Sequence, residues 1–171
     1  MDSIERREYI KNLLVESCKP LKGQHLAEEL GITRQVIVKD IAILRASGID
    51  IIATPDGYII NKQGENCYSK ILALSHNTDK IEDELKTMVK YGGIVKDVIV
   101  DHPLYGEIKA MLMIKNLYDV ESFVNKFNNY KAEPLLVLTN GIHLHTILTD
   151  NEEQMSQIVE ELKRKGYLIE G

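Results

Sequence analysis

The fold of the N-terminal part of the chain is decided by residues 24–37, which read QHLAEELGITRQVI. The apolar residues in the first half of this stretch recur at helical spacing, which predicts a short helix over residues 23–30. Gly31 ends that helix, because glycine adopts the left-handed backbone of a C-cap without strain. Ala27 is small at the point where a following helix would cross closely. The stretch therefore predicts two helices joined by a tight turn, a helix-turn-helix.

The flanking residues predict a third helix and a β-hairpin. An apolar stripe predicts a helix over residues 3–17, and a third amphipathic helix is predicted over 34–47 with Thr33 as its N-cap. After it, β-rich runs at 49–53 and 58–60 are joined by the turn sequence TPDG. A hairpin directly after a helix-turn-helix is typical of a winged helix.

The outer face of the third predicted helix carries side chains suited to DNA. Arg and Gln read base edges through bidentate hydrogen bonds, and Lys and Arg neutralise phosphates. A three-helix bundle with a solvated charged face, used for protein contacts, is the alternative interpretation. The predicted contacts to double-stranded operator DNA are Thr33, Arg34, Gln35, Val38, Lys39 and Arg45.

The second half of the chain alternates between strand and helix patterns. Polar residues 61–66 mark the predicted boundary between a domain over 1–62 and a domain over 67–171. The predicted order βαββαββα implies an α+β sandwich, with helices on one face of a mainly antiparallel sheet. In that order the predicted elements are strand 68–74, helix 79–91, strands 94–100 and 107–114, helix 120–129, strands 135–138 and 144–148, and helix 151–165.

The net charge of −5 does not exclude DNA binding once the chain is divided. Residues 1–62 carry nine Lys and Arg against nine Asp and Glu, so their net charge is zero and the net charge of −5 arises in residues 63–171. Local placement of basic groups in the N-terminal part then matters more than the total. An acidic second domain is expected to have a role other than DNA contact.

The sequence favours the cytoplasm. It contains neither an apolar window long enough for a membrane span nor the apolar core of a signal peptide near its start. Cys18 and Cys67 lie far apart and belong to no metal motif, so both are expected to be reduced thiols.

The histidines of the second half form a candidate metal site. His143 and His145 are two apart on a predicted strand, which places both imidazoles on one face, where they can bind one divalent metal ion. His76 ends the first strand pattern of this domain, Glu84 lies in the helix predicted after it, and His102 lies in a turn. Each histidine taken alone is equally compatible with an ordinary surface or hydrogen-bonded residue.

Several motifs resemble those of known families. The stretch from Thr33–Gln35 through Arg45–Ile49 looks like the recognition helix, and the residues that end it, in the winged helix-turn-helix of biotin-repressor-like and many sugar-responsive bacterial regulators. Leu74–His76, Val100–Gly106 and Gly141–His145 resemble the three-histidine domain, a small-molecule-binding module found behind this type of winged helix. The likeness covers nearly the whole chain in family order.

The resemblance implies more than the residues show by themselves. It implies an HPr-like C-terminal fold, a homodimer, and a divalent transition metal of the Zn, Ni or Fe class. It further implies a niacin-responsive repressor of NAD biosynthesis or niacin uptake, with nicotinate as co-repressor. Carried over by position, the metal ligands are His76, Glu84, His143 and His145, with the contact of His102 to metal or effector left open. His102 and Tyr105 are the candidate effector residues, and Tyr105 could shape the mouth of a pocket or merely form part of a turn.

Two other functions fit the same residues. A regulator could sense the metal itself without an organic effector. A metal-dependent hydrolase would use the metal to activate water, with Glu82, Asp83 or Asp101 as the base. No motif supports the hydrolase, and the chain is therefore not expected to be an enzyme.

Overall fold

The computed structural model describes residues 2–17, 19–60 and 68–170. The chain divides into two compact units, Met1–Gln63 and Gly64–Gly171. The predicted boundary segment 61–66 lies outside the described residues, as do both cysteines.

The N-terminal unit contains three helices and a two-stranded hairpin. They are α1 (Ser3–Glu16), α2 (Gly23–Leu30), α3 (Arg34–Ala46), β1 (Ile51–Thr54) and β2 (Gly57–Ile60). The buried residues of the helices meet in one apolar core that includes Ile10, Leu14, Leu26, Ile37 and Ile41. The predicted three-helix unit with a wing is therefore present.

Capping residues set the helix ends. Asp2 and Glu5 form a reciprocal capping box at the start of α1. Gly31 ends α2 in the left-handed region at φ 61°, as predicted. Thr33 occupies the N-cap position of α3, but the expected side-chain cap is absent. Its backbone carbonyl instead accepts hydrogen bonds from the N–H groups of Val36 and Ile37.

An ion pair between helices fixes α1 against α3. The carboxylate of Asp40, which is 1% exposed, accepts two hydrogen bonds from the Arg6 guanidinium at 2.6 and 3.3 Å. Arg7 adds a second cation at 3.5 Å. Hydrogen bonding to Asp40 raises the pKa of Arg6. The acidic residue of α3 is thus turned inward and neutralised, while the basic side chains of that helix face outward.

The hairpin is tied to the segment before α2. Leu21 and Tyr58 exchange backbone hydrogen bonds of 2.8 and 2.9 Å. Gly57 permits this approach, since it has φ +133° and a Cβ there would lie 2.3 Å from the Leu21 carbonyl oxygen. Glycine is the residue that adopts this conformation without strain.

The C-terminal unit is a four-stranded antiparallel sheet with helices. Its elements are β3 (Tyr68–Ser75), α4 (Ile81–Lys90), β4 (Ile94–His102), β5 (Gly106–Ile114), α5 (Leu117–Tyr130), β6 (Ile142–Thr149) and α6 (Glu152–Arg164). The strand order β3-β6-β4-β5 places the first and last strands of this unit side by side. The α+β class is confirmed.

One predicted strand is wrong. Residues Leu135–Thr139 form a 3-10 helix, so the order of this unit is βαββαβα rather than βαββαββα. A short apolar run does not distinguish a strand from a helical turn by periodicity. The segment packs Leu136 into the core and ends at Asn140 in a left-handed conformation. A second 3-10 turn, Thr78–Lys80, precedes α4 where the sequence predicts the start of the helix.

Alternation along the strands builds the second core. Leu72 and Leu74 of β3 and Ile147 of β6 face the buried side chains of α4 and α6. This face of the sheet is also the one that carries His143 and His145. Among the described residues, none of the helices combines the length and apolarity that crossing a bilayer requires.

The substitution Gly57→Ala is expected to loosen the hairpin. A left-handed backbone costs a residue with a Cβ about 1–2 kcal/mol, and the contact with the Leu21 carbonyl adds about 1–3 kcal/mol of overpacking. Gly48→Ala is the control, because Gly48 has φ +93° but a Cβ there would have no heavy atom of the described residues within 4 Å. Hydrogen exchange of the Leu21 and Tyr58 amides measures the effect. Equal protection in both variants would contradict the packing argument.

Candidate functional site

The predicted DNA contacts lie together on the outer side of α3. Their side chains are exposed, whereas Ile37, Ile41 and Leu44 on the opposite side are buried. Even the apolar Val38 is 44% exposed. The residues brought to this surface are Thr33, Arg34, Gln35, Val38, Lys39 and Arg45.

The four predicted metal ligands meet around one carboxylate in the C-terminal unit. Oε2 of Glu84 lies 2.9 Å from Nε2 of His76, and its Oε1 lies 2.9 Å from Nε2 of His143 and 3.5 Å from Nε2 of His145. Donor atoms of Glu84, His76 and His143 all lie within 4.8 Å of one another. The four side chains are at most 4% exposed.

Three different elements supply these ligands. His76 follows the end of β3, Glu84 lies on the buried face of α4, and both remaining histidines belong to β6. Because β3 pairs directly with β6, with Leu74 opposite His143, the end of one strand reaches the histidines of the other. The cluster is therefore a product of the strand order.

Each of the three imidazoles in the cluster donates a hydrogen bond from its other ring nitrogen, Nδ1, to a backbone carbonyl. Nδ1 of His76, His143 and His145 lies 2.8, 2.9 and 2.6 Å from the carbonyl oxygens of Asn77, Gly141 and Asp97 respectively. A carbonyl can only accept, so each Nδ1 carries a proton. Each Nε2 of a neutral imidazole then turns a lone pair toward Glu84. Backbone carbonyls commonly orient metal-binding histidines in this way.

A lone pair facing a carboxylate needs a cation between them. That cation is either a proton, which makes the imidazole an imidazolium, or a metal ion. Nε2 of His76 is buried and makes no hydrogen bond with any described residue, although Glu84 lies close by. The donor set of three imidazoles and a carboxylate suits a divalent transition metal. The residues therefore fit the metal that the sequence predicts.

The charges of the cluster stabilise one another. Burial acts to raise the pKa of Glu84, but the surrounding imidazoles outweigh it and hold that pKa well below its usual range. Burial likewise acts to lower the pKa values of His76 and His145, and Glu84 outweighs it and raises both. Protons would therefore compete with a metal ion for these nitrogens, so that lowering the pH through the raised pKa values would weaken metal binding at this cluster.

The predicted effector residues lie elsewhere in this unit, at the β4–β5 turn. Nδ1 of His102 accepts hydrogen bonds from the N–H groups of Leu104 and Tyr105, and the His102 and Tyr105 rings are 5.0 Å apart. Within the described residues, the polar and ring contacts of these two side chains stay inside the turn. The structure does not bring them into contact with the Glu84 cluster.

Sequence reasoning missed a polar network beside the cluster. The ring of Tyr167 lies 5.1 Å from that of His76, and its hydroxyl donates to Asp83 at 2.7 Å. Lys165 donates to both oxygens of Asp83 and to Thr87. Burial and Asp83 raise the pKa of Tyr167 to about 12. The sequence indicated this network only through the position of Asp83, directly before the predicted ligand Glu84.

The same network weakens the hydrolase alternative. Hydrogen bonds from Lys165 and Tyr167 lower the pKa of Asp83, which makes this carboxylate a poor base. Glu82 is paired with Lys86 at 2.6 Å. Two of the three candidate bases are therefore held by neighbouring groups.

Gly141 is a second residue that sequence reasoning left without a role. Its carbonyl accepts hydrogen bonds from the His76 N–H and from Nδ1 of His143, so one peptide group contacts two of the predicted ligands. Its φ is +94°, and a Cβ would lie 2.5 Å from the His76 carbonyl oxygen. In the sequence, this role was indicated only by the presence of a glycine two residues before His143.

Comparison with known families follows the division of the chain. The family model described as the 3H domain matches residues 69–171. The chain belongs to the 3H-domain family. A second family model, described as an HTH domain, matches residues 6–59.

Two curated relatives align with nearly the whole chain. The probable transcription repressor NiaR of Thermotoga maritima is 46% identical over 166 residues, which cover 97% of this chain and 94% of that protein. The transcription repressor NadR of Bacillus subtilis is 37% identical over 167 residues, covering 96% and 93%. An uncharacterized protein of Methanothermus fervidus is 25% identical over 139 residues, which cover only 20% of its length. Because both near-full-length relatives are named as transcription repressors, the prediction that this 3H-domain chain is not an enzyme is confirmed.

Gly141→Ala is expected to weaken metal binding by about tenfold or more, the range typical for lost support of a metal ligand. The added methyl group must displace the backbone that positions His76 and His143. Gly106→Ala is the control, because Gly106 has φ +71° with open space at the Cβ position. Competition with a chelator measures affinity. Unchanged affinity in Gly141→Ala would show that this peptide group does not orient the ligands.

Proposed function

We propose that the protein is a cytoplasmic transcription repressor that binds operator DNA upstream of genes for NAD biosynthesis or niacin uptake. The names of the two near-full-length relatives support repression. The exposed residues of α3 supply the contacts, with Arg34 and Gln35 on base edges and Lys39 on phosphate. Asp40 does not oppose the phosphates, because two arginines of α1 neutralise it.

We further propose that the C-terminal unit holds one divalent transition metal per chain and responds to nicotinate as co-repressor. The observation that carries the metal is the convergence of three Nε2 atoms on the buried Glu84 carboxylate, with each Nδ1 already bound to a carbonyl. His76, Glu84, His143 and His145 hold the ion. The metal supplies a positive charge that a ligand carboxylate can approach.

The response requires a difference in affinity between two states of the protein. An effector shifts an equilibrium only as far as it binds one state more tightly than the other. In a homodimer, that shift would alter whether two α3 helices fit successive major grooves, about 34–36 Å apart. His102 and Tyr105 would act as effector contacts only in a state that brings the β4–β5 turn to the ligand.

A metal-sensing regulator without an organic effector is the second candidate. The near-complete burial of all four ligands favours it, because an enclosed site suits an ion better than an organic ring. Isothermal titration of nicotinate into metal-loaded and metal-free protein separates the two. Heat of binding only with metal present supports the co-repressor, and no heat in either form supports metal sensing.

Arg34→Ala and Gln35→Ala are each expected to cost about 1–3 kcal/mol of operator affinity, since base contacts are lost. Lys39→Ala should weaken binding to all sequences alike and reduce the salt slope by about one. Lys11→Ala removes the same charge from α1 and serves as control. Fluorescence anisotropy with operator and scrambled DNA measures these effects. Operator affinity unchanged by all three substitutions would refute the role of α3.

His143→Ala and His145→Ala are each expected to lose stoichiometric metal in elemental analysis and, with it, the response to nicotinate. The typical coupling of about 1–3 kcal/mol predicts a 5–150-fold gain in operator affinity for wild type. Nicotinamide lacks the carboxylate and should act weakly. His102→Ala is the comparison, since it should keep the metal. Full metal content in the double histidine variant would eliminate the site, and equal DNA affinity with and without nicotinate would eliminate this effector.

A further inference from the structure

The central strand β4 contains an irregularity opposite the histidines of β6. Val95 pairs with Ile147 and Ile99 pairs with Leu144. Three residues of β4 between these pairs therefore oppose two residues of β6. A bulge of this kind leaves backbone groups outside the regular ladder and re-aims them.

Asp97 lies in this bulge, and its two acceptor groups have exchanged roles. Its side-chain Oδ1 accepts the backbone N–H of Thr146 at 2.9 Å, a bond that a backbone carbonyl makes in a regular ladder. Its backbone carbonyl is thereby released and accepts Nδ1 of His145 at 2.6 Å. One residue thus satisfies β6 with its side chain and orients a metal ligand with its main chain.

This arrangement is energetically costly without a compensating role. Asp97 is 1% exposed, and a buried carboxylate is unfavourable unless it is paired and hydrogen-bonded. Among the described residues its nearest cation is Lys109, whose Nζ is 3.8 Å away on a side chain that is 44% exposed. A regular strand with an apolar residue at this position would satisfy Thr146 at lower cost. It would also take the carbonyl away from His145.

We propose that Asp97 is a positioning residue for His145: its carboxylate replaces a ladder carbonyl so that its own carbonyl fixes the imidazole with the proton on Nδ1 and the lone pair on Nε2. The consequence for metal affinity rests on the proposed metal site. The effect on the imidazole does not, because it follows from hydrogen bonds within the chain.

The test compares Asp97→Ala and Asp97→Asn in the full chain. The amide oxygen of Asn accepts the Thr146 N–H as the carboxylate does, whereas Ala leaves that N–H unsatisfied. Asp101→Asn is the control, since it removes a charge from an exposed position of the same strand. The ¹⁵N shifts of His145 in metal-free protein at alkaline pH report which nitrogen carries the proton, and chelator competition with Ni²⁺ or Zn²⁺ reports affinity.

Asp97→Ala should give His145 a mixture of tautomers and weaken metal binding about 10–100-fold, the range for lost support of a ligand. Asp97→Asn and Asp101→Asn should keep the single Nδ1–H form. A single Nδ1–H tautomer and wild-type affinity in Asp97→Ala would overturn the proposal. Wild-type protein that binds neither metal would refute the proposed metal site, yet the tautomer measurement would still decide the role of Asp97.

Should Asp97→Ala fail to fold, couplings across hydrogen bonds in wild-type protein give the answer. The Thr146 amide should couple to the carboxyl carbon of Asp97, and the His145 Nδ1–H should be protected from exchange. A Thr146 amide coupled instead to a backbone carbonyl carbon would overturn the exchange of roles.

Discussion

The buried carboxylate of Glu84 is the constraint around which the C-terminal unit is organised. A single carboxylate away from water is unfavourable, and its negative charge persists only because imidazoles surround it. Those imidazoles come from the end of β3 and from β6, while Glu84 itself comes from α4. Sheet pairing and helix packing must therefore both be in place before the charge is stabilised. The folded core and the candidate site depend on the same contacts.

A second layer of backbone groups gives the cluster its chemical character. Three carbonyls, from Asn77, Asp97 and Gly141, each take an imidazole Nδ1–H and leave the Nε2 atoms directed inward. Two of these carbonyls belong to local irregularities of the backbone, a left-handed glycine and a β-bulge. Irregular backbone at these points is thus part of the site.

The two units divide the charge of the chain between them. In the N-terminal unit the acidic residue of α3 is buried against two arginines of α1, which leaves a basic outer face on a unit of zero net charge. In the C-terminal unit the buried charges are balanced within the cluster, and Asp83 is held by Lys165 and Tyr167. The net charge of the chain conceals both arrangements, because it does not distinguish exposed charges from charges that are paired within the protein.

The sequence alone determined the helix-turn-helix, its hairpin, the α+β class of the second unit and the pairing of His143 with His145 on one strand face, whereas His76 and Glu84 joined the predicted cluster through the family resemblance. Helical periodicity, glycine at a turn and alternation along a strand are local signals, and local signals survive without tertiary context. The predicted strand at 135–138 was wrong because a short apolar run carries no such signal. Only the tertiary structure decided that β3 lies beside β6, which brings His76 to His143. It alone revealed Tyr167, Gly141 and Asp97, since carbonyl direction, backbone φ and strand register depend on neighbours distant in sequence. The sequence shows that Asp97 is an acidic residue within a largely apolar strand. Its role could be inferred only from the bulge, which the sequence does not reveal.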